Sequence, residues 1–327
     1  MANLRNNQSG VALLVVLLLV ATLAILALAM TTTMRSAINR TVAIANRDQA
    51  AWHALGTEVF ADYVMREQAR LTPGRDVAAE PWLQQELILP IEGGLIKARL
   101  RDETGCFNLN SLVRIEDGRW VANANGITEY RALLTALGLD QLSAANLADV
   151  LVDWLDEDRY PQSTGAEDET YERQPVPFRA GNTRLANLTE LRAVAHHSAA
   201  FIKALTPFVC VHPTATPTKV NINLLPVAKA AVLQAMFSEI MTIDEARQLL
   251  EQRPLLGYDS PEAFWQQELL VGKTFSQEQQ ARLVFWSEFV RLEADINLNR
   301  SYLQMSSLLA VSADGSTRPV NRRYGGR

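Results

Sequence analysis

The run VALLVVLLLVATLAILALAM, residues 11–30, decides the architecture of this chain. It holds no charge, no proline and no glycine, and Thr22 is its one strongly polar side chain. At about 1.5 Å rise per residue, twenty such residues form a helix of about 30 Å, the thickness of a bilayer's hydrocarbon core. On its N-terminal side lies a short polar leader, residues 1–10, which ends in Ser9-Gly10 directly against the apolar run. An ordinary secretory signal carries its small-residue cleavage site after the apolar region. Here Thr31-Thr32-Thr33-Met34-Arg35 follows instead, polar and then charged. A cut between Gly10 and Val11 would keep the membrane helix as the new N-terminus. An uncleaved signal anchor is the competing interpretation, and this segment does not separate the two.

On the C-terminal side, residues 31 to about 70 continue as helix. Ile38, Val42, Ala45, Trp52, Leu55, Val59 and Tyr63 recur at steps of three and four, with Gln49 in the missing place. Arg40, Arg47, Asp48, Glu58, Asp62 and Arg66 fall on other faces. The pattern predicts an amphipathic half-helix whose apolar stripe packs on a globular body, ended by Thr72-Pro73-Gly74. Residues 86–91 and 95–101 read as strands around a Glu92-Gly93-Gly94 turn, and residues 105–112 as a further extended piece. From about residue 125 the pattern turns helical. Thr128, Ser143, Asn187 with Glu190, Ser260 before Pro261, and Ser276 are the expected caps. Strand character returns at 289–296 and 302–311, and Gly325-Gly326-Arg327 reads as a frayed end. This order predicts an α+β fold with a helical domain inserted between strands of one sheet. The expected division is 1–10 leader, 11–30 membrane helix, 31–120 with 287–327 helix and sheet, and 121–286 inserted domain.

Composition narrows the function. The chain has 327 residues and a net charge of −5, which argues against a generic basic nucleic-acid surface. Its two cysteines, Cys106 and Cys210, are most simply a disulfide if the soluble part is exported into an oxidising compartment; two buried thiols are the alternative. Residues 149–172 concentrate nine carboxylates against the single base Arg159. Asp149, Asp153 and Asp156 share one face of a helix, and Glu157, Asp158, Glu167, Asp168, Glu169 and Glu172 follow around Pro161 and Gly165. Carboxylates crowded this way repel unless a cation joins them, and hard oxygen ligands suit Ca²⁺. The spacing is not that of an EF-hand, and a solvated acidic loop is the plain alternative. Paired carboxylates also serve glycosidases and Mg²⁺ nucleases, but no second catalytic signature accompanies them.

Residues 220–226, Val-Asn-Ile-Asn-Leu-Leu-Pro, followed by an apolar helical run, look like a helix-hairpin-helix turn, usually a binder of DNA phosphates. That turn offers glycine amides, and none is present here, so a structural role is expected. His196-His197 are expected to be surface or packing residues. With no phosphate loop, CxxC or G-x-S-x-G, the expectation is a protein that is not an enzyme.

Taken together, these motifs resemble the minor pseudopilin K family of type II secretion, general secretion pathway protein K. The resemblance rests on Ser9-Gly10 before the apolar run, on residues 105–110, and on residues 152–158 with 165–168. It is completed by residues 207–210 and 220–223, all in the family's order. Leu224 and Leu225 depart from it, standing where smaller residues are expected. The resemblance implies a pilin-like helix-and-sheet fold with a large inserted helical domain. It implies cleavage after Gly10 and N-methylation of Val11 by prepilin peptidase. Structural Ca²⁺ is expected at Asp153, Asp156, Asp158, Glu167 and Asp168. The implied place is the bacterial inner membrane, single-pass, with the soluble domain in the periplasm and no nucleic acid bound. The implied partners are pseudopilins I and J, with H as a further one, at the tip of a pseudopilus that supports export across the outer membrane. Two other functions compete with this one: an uncleaved signal-anchored periplasmic scaffold, and a membrane-tethered nucleic-acid binder using the hairpin at Asn221.

Overall fold

The structure, a computed structural model, describes residues 9–299 and 301–325; residues 1–8 of the leader and the terminal Gly326-Arg327 lie outside the described residues. A single helix runs over Ser9–Leu71, about 95 Å by its rise. Its membrane-length part is exposed along its whole circumference, and this is the one described helix long and apolar enough to cross a bilayer. It stops at Thr72-Pro73-Gly74, where Gly74 takes φ 73°.

The upper part of this stem lies against a five-stranded antiparallel sheet. Its spatial order follows the chain: Leu87–Ile91, Gly94–Asp102, Phe289–Leu298, Ser301–Val311 and Thr317–Tyr324. Strands two and three face each other as Gly94 with Leu298 through Asp102 with Val290. So the whole segment between Asp102 and Phe289 leaves the sheet and returns to it. The α+β plan read from the sequence is the observed one.

The face by which the stem packs differs from the expected one. Ala50, Ala54, Ala61 and Met65 are buried against Ile96, Leu100, Leu292 and Ile296, while Trp52, Val59 and Tyr63 are 74, 72 and 63% exposed. Small side chains let the helix backbone approach the sheet closely, and polar anchors select that side. Arg322 donates Nε to Glu58 at 2.7 Å, and the Thr317 amide donates to Asp62 at 2.6 Å. Gly315, in the turn before the last strand, has φ 79°, and a Cβ there would lie 2.4 Å from the Met65 carbonyl oxygen. That last strand has no counterpart in the sequence reading. Its Thr-Arg-Pro-Val-Asn-Arg-Arg-Tyr lacks apolar alternation because it is an exposed edge strand.

The inserted segment has its own core, built from Phe107, Leu109, Leu133, Leu151, Leu191, Leu233 and Phe264 among others. Residues from Phe107 onward pack in this second core, so the insert begins earlier than the expected residue 121. The reason is local. Phe107–Asn108 pairs with Val209–Cys210 inside the insert, and Leu109–Leu112 then coils into a 3₁₀ turn whose side chains are all buried. The long helices are Ala124–Ala136 and Gln141–Leu155. The first starts after Asn123 rather than at Thr128 and has no side-chain cap; Asn123 donates instead to the Ser111 carbonyl at 2.8 Å. The second is capped by Asp140, which accepts from the amides of Leu142 and Ser143, rather than by Ser143. The Asn187–Glu190, Ser260 and Ser276 caps are as expected, though the segments they open are short. The two leucines of residues 220–226 join the bodies: Leu224 packs on the sheet core and Leu225 is fully buried in the insert core. Smaller residues there would leave both contacts unmade.

Buried carboxylates hold the same seam. Asp76 accepts from the Ser287 amide at 2.6 Å and from Asn221 Nδ2 at 3.2 Å. Asp102 accepts from the amides of Thr104 and Gly105, both at 3.1 Å. Burial pushes Asp76 up to about 6 and raises Asp102, and burial with the nearby Asp76 pushes Glu80 up to about 7. A folded-state pKa above the unfolded value contributes stability that is full below pH about 4 and is lost as pH rises through 6 to 7. In urea unfolding of the full chain held in chelator, Asp76 is therefore expected to remove on the order of 1 kcal/mol of stability between pH 5 and pH 7, against the opposite contribution of the buried His197 and His212, which fold neutral. Asp76→Asn should flatten part of that slope, because its amide oxygen can still accept both bonds. A stability difference between wild type and Asp76→Asn that stays constant from pH 5 to pH 7 would contradict the assignment.

Candidate functional site

The carboxylates of residues 149–168 separate into three roles. They sit on the last turns of the helix Gln141–Leu155, on the loop after it, and at the start of the short helix Asp168–Glu172. Asp149 is structural. It pairs with Arg131 at 2.5 Å and accepts from the Thr164 amide and hydroxyl at 3.1 and 3.0 Å. Asp153 braces the loop by accepting from the Gln162 amide at 3.0 Å and from the amide of Ala166. The loop backbone at Gly165 lies so close that a Cβ there would stand 1.8 Å from Asp153 Oδ2. Asp168 accepts from the Ala180 amide at 3.0 Å.

Asp156 and Glu167 are different. Both are buried, and among the described residues all four of their carboxylate oxygens lack a hydrogen-bond partner. With the exposed Asp158 they place one oxygen each within 4.8 Å of one another. Burial first, then the neighbouring carboxylates, pushes both Asp156 and Glu167 up to about 7. Orphaned buried carboxylate oxygens aimed at one point are costly unless a cation or protons sit between them. The donor set is all oxygen and hard, which fits Ca²⁺. Of the five expected ligands, the structure brings together Asp156, Asp158 and Glu167, and gives Asp153 and Asp168 to the loop backbone. The aromatic rings of Trp154, Tyr171 and Phe178 pack mutually alongside, with Trp154 and Tyr171 centroids 5.2 Å apart.

Cys106 and Cys210 are joined in a disulfide across 104 residues, with Cα atoms 5.7 Å apart. It flanks the Phe107–Val209 pairing, so it ties the entry of the insert to a point midway along it. The nearby His212 is buried and stacked on Phe289 at 4.1 Å; burial lowers it to about 4, so it is a neutral packing residue. His197 is likewise buried, bonded through Nδ1 to the Ala195 carbonyl at 2.8 Å and pushed down to about 4. The hairpin asparagines serve the interior: Asn223 donates to the Tyr258 carbonyl at 3.1 Å and accepts from its amide at 2.8 Å, while Asn221 reaches Asp76. Those side chains are not free to meet a nucleic-acid phosphate.

One membrane-length stem, a helix-on-sheet body and an inserted domain with a buried carboxylate cluster define an α+β protein carried on a helix long and apolar enough to span a bilayer. Family models described as type II secretion system protein K match residues 105–214 and 220–285. Type II secretion system protein K of Pectobacterium carotovorum subsp. carotovorum is 34% identical over 99% of this chain and 98% of its own length. The Klebsiella pneumoniae protein of that name is 35% identical over 98% of each chain. A chain from the crystal structure of the GspK-GspI-GspJ complex of the enterotoxigenic Escherichia coli type 2 secretion system superposes with a TM-score of 0.73. That likeness comes at 28% identity and covers 88% of this chain and 100% of the other. The chain belongs to the type II secretion system protein K family.

Proposed function

We propose that this chain is a minor pseudopilin that caps a periplasmic pseudopilus, held by its stem in the inner membrane and assembled with pseudopilins I and J, and H beside them. One observation carries the proposal. The stem packs on its own body through alanines and leaves the stripe Ile38, Val42, Trp52, Val59 and Tyr63 exposed. Apolar residues at steps of three and four along one helix are the seam by which helices pack on one another. A relative of this chain was crystallised with two such partners. The stem also carries no acid over residues 11–30, and the fifth residue after the Gly10–Val11 junction is Val15. A carboxylate at that depth would cost roughly 2.5–3.5 kcal/mol and would need the terminal amine of a subunit ahead of it. This stem needs none, as suits the first subunit of a filament. The insert adds bulk that obstructs a further subunit above. The function that follows is mechanical support of export across the outer membrane.

Co-expression with pseudopilins I and J tests the assembly. The wild-type chain should co-purify with both. Trp52→Glu with Val59→Glu should weaken the association more than tenfold, because buried tryptophans dominate such contacts. The melting temperature should not change, since both side chains are exposed. Labelled chain should mark one end of each pseudopilus; label spread along the shaft would remove the capping role. Cleavage after Gly10 and N-methylation of Val11 by prepilin peptidase belong to the same proposal, and the mass of the mature N-terminus reads them. Gly10→Leu should leave the leader attached, and normal processing of that variant would refute the cut site. An intact Met1 in the wild type would instead favour a signal-anchored scaffold.

A further inference from the structure

We infer that Arg35 and Arg40 form a phosphate-binding collar that fixes the stem's depth by holding anionic phospholipid headgroups of the outward leaflet; this rests on the membrane-stem proposal above. The stem is exposed from residue 11 to residue 45, so no part of the body covers these side chains. Between Val11 and Arg47 the stem carries three arginines, Arg35, Arg40 and Arg47, and no acid; the first carboxylate is Asp48. Among the described residues none of the three arginines forms an ion pair, in a chain of net charge −5 whose other cations are mostly paired. The polar side chains just above the apolar run are already satisfied within the helix: Thr31, Thr32 and Thr33 bond back to the carbonyls of Ala27, Ala29 and Met30. These threonines can therefore enter the interface without calling for water. Arg35 lies about 7.5 Å and Arg40 about 15 Å beyond Met30 along the axis. The headgroup layer is about 5–7 Å thick on each side. Side chains on a helix lean toward its N-terminus, here toward the bilayer, so the guanidiniums of Arg35 and Arg40 both stand nearer the headgroups than their backbones do. The two sit about 140° apart around the helix and so grip it from two sides. Arg47, about 25 Å out, is beyond reach. A guanidinium fork matches a phosphate in two parallel hydrogen bonds, which an ammonium or a neutral amide does not.

The test uses the full chain in nanodiscs of equimolar phosphatidylglycerol and phosphatidylcholine, extracted gently and read by native mass spectrometry. Wild type should retain phosphatidylglycerol over phosphatidylcholine by on the order of fivefold per arginine. Arg35→Gln with Arg40→Gln should bring the ratio to parity, while Arg47→Gln should leave it unchanged. No preference in wild type, or a preference that survives the double variant, overturns the inference. So does an absence of preference in lipid combined with protection of both arginines from chemical modification only when pseudopilins I and J are added, which assigns them to protein carboxylates. Failure of the membrane-stem proposal itself is read separately, as failure of the chain to float with vesicles of pure phosphatidylcholine.

Discussion

A chain carrying Cys106→Ser and Cys210→Ser is expected to lose on the order of 4–5 kcal/mol of unfolding free energy. The bond closes a loop of 104 residues, and releasing a loop of that length restores roughly that much conformational entropy to the unfolded chain. Both half-cystines are buried, so the serine hydroxyls must also be accommodated without water, which adds to the loss. The effect should concentrate in the insert. The sheet body is held by its own ladder, with strand partners running from Gly94 with Leu298 to Asp102 with Val290. The insert contains short helices and loops between Leu155 and Leu283 and depends more on its staple. Hydrogen exchange of the double variant should rise first around Phe107–Asn108 and Val209–Cys210, with sheet amides protected longer. Unchanged denaturant midpoints, or free thiols in natively exported wild type, would count against this account.

The second large effect is expected from calcium. Binding to the folded state alone stabilises it by roughly 2.7 kcal/mol at a hundredfold excess over Kd. Melting of the full chain should therefore shift upward with Ca²⁺ and downward with chelator. The variant Asp156→Asn with Glu167→Gln separates a cation site from a solvated acidic loop. It should abolish the calcium response, yet melt higher than wild type in chelator, because it removes two buried charges that repel each other without a partner. Protons and Ca²⁺ compete for the same oxygens, whose pKa values stand at about 7, so the calcium-induced shift should shrink as pH falls below 7. Identical melting curves with calcium and with chelator would end the proposal.

The sequence by itself determined the features that depend on local physics. Twenty uncharged residues without a breaker can only be a long apolar helix, and Pro73-Gly74 is where it must stop. The Glu92-Gly93-Gly94 turn, the Asn187–Glu190 capping pair and the crowding of carboxylates are written in neighbouring residues. The Cys106–Cys210 bond is the pairing expected if the soluble part is exported, since two cysteines leave one pairing; the structure, not the sequence, decides it against two buried thiols.

What only the tertiary structure decided depends on which of several compatible faces meets which. The stem carries an apolar stripe and an alanine stripe, and periodicity favours the larger side chains. The sheet takes the alanines, because close backbone approach and the Glu58 and Asp62 anchors outweigh the area the larger residues would bury there. That leaves Trp52 and Val59 exposed. The cluster of acids likewise looked uniform in sequence. Only the folded loop distinguishes Asp149, Asp153 and Asp168, which hold backbone amides and Arg131, from Asp156 and Glu167, whose carboxylate oxygens have no hydrogen-bond partner among the described residues. The seam at Asp76, Asp102 and Ser287 had no signal at all, since its members lie far apart in the chain and meet only once Leu224 and Leu225 have locked the insert onto the sheet.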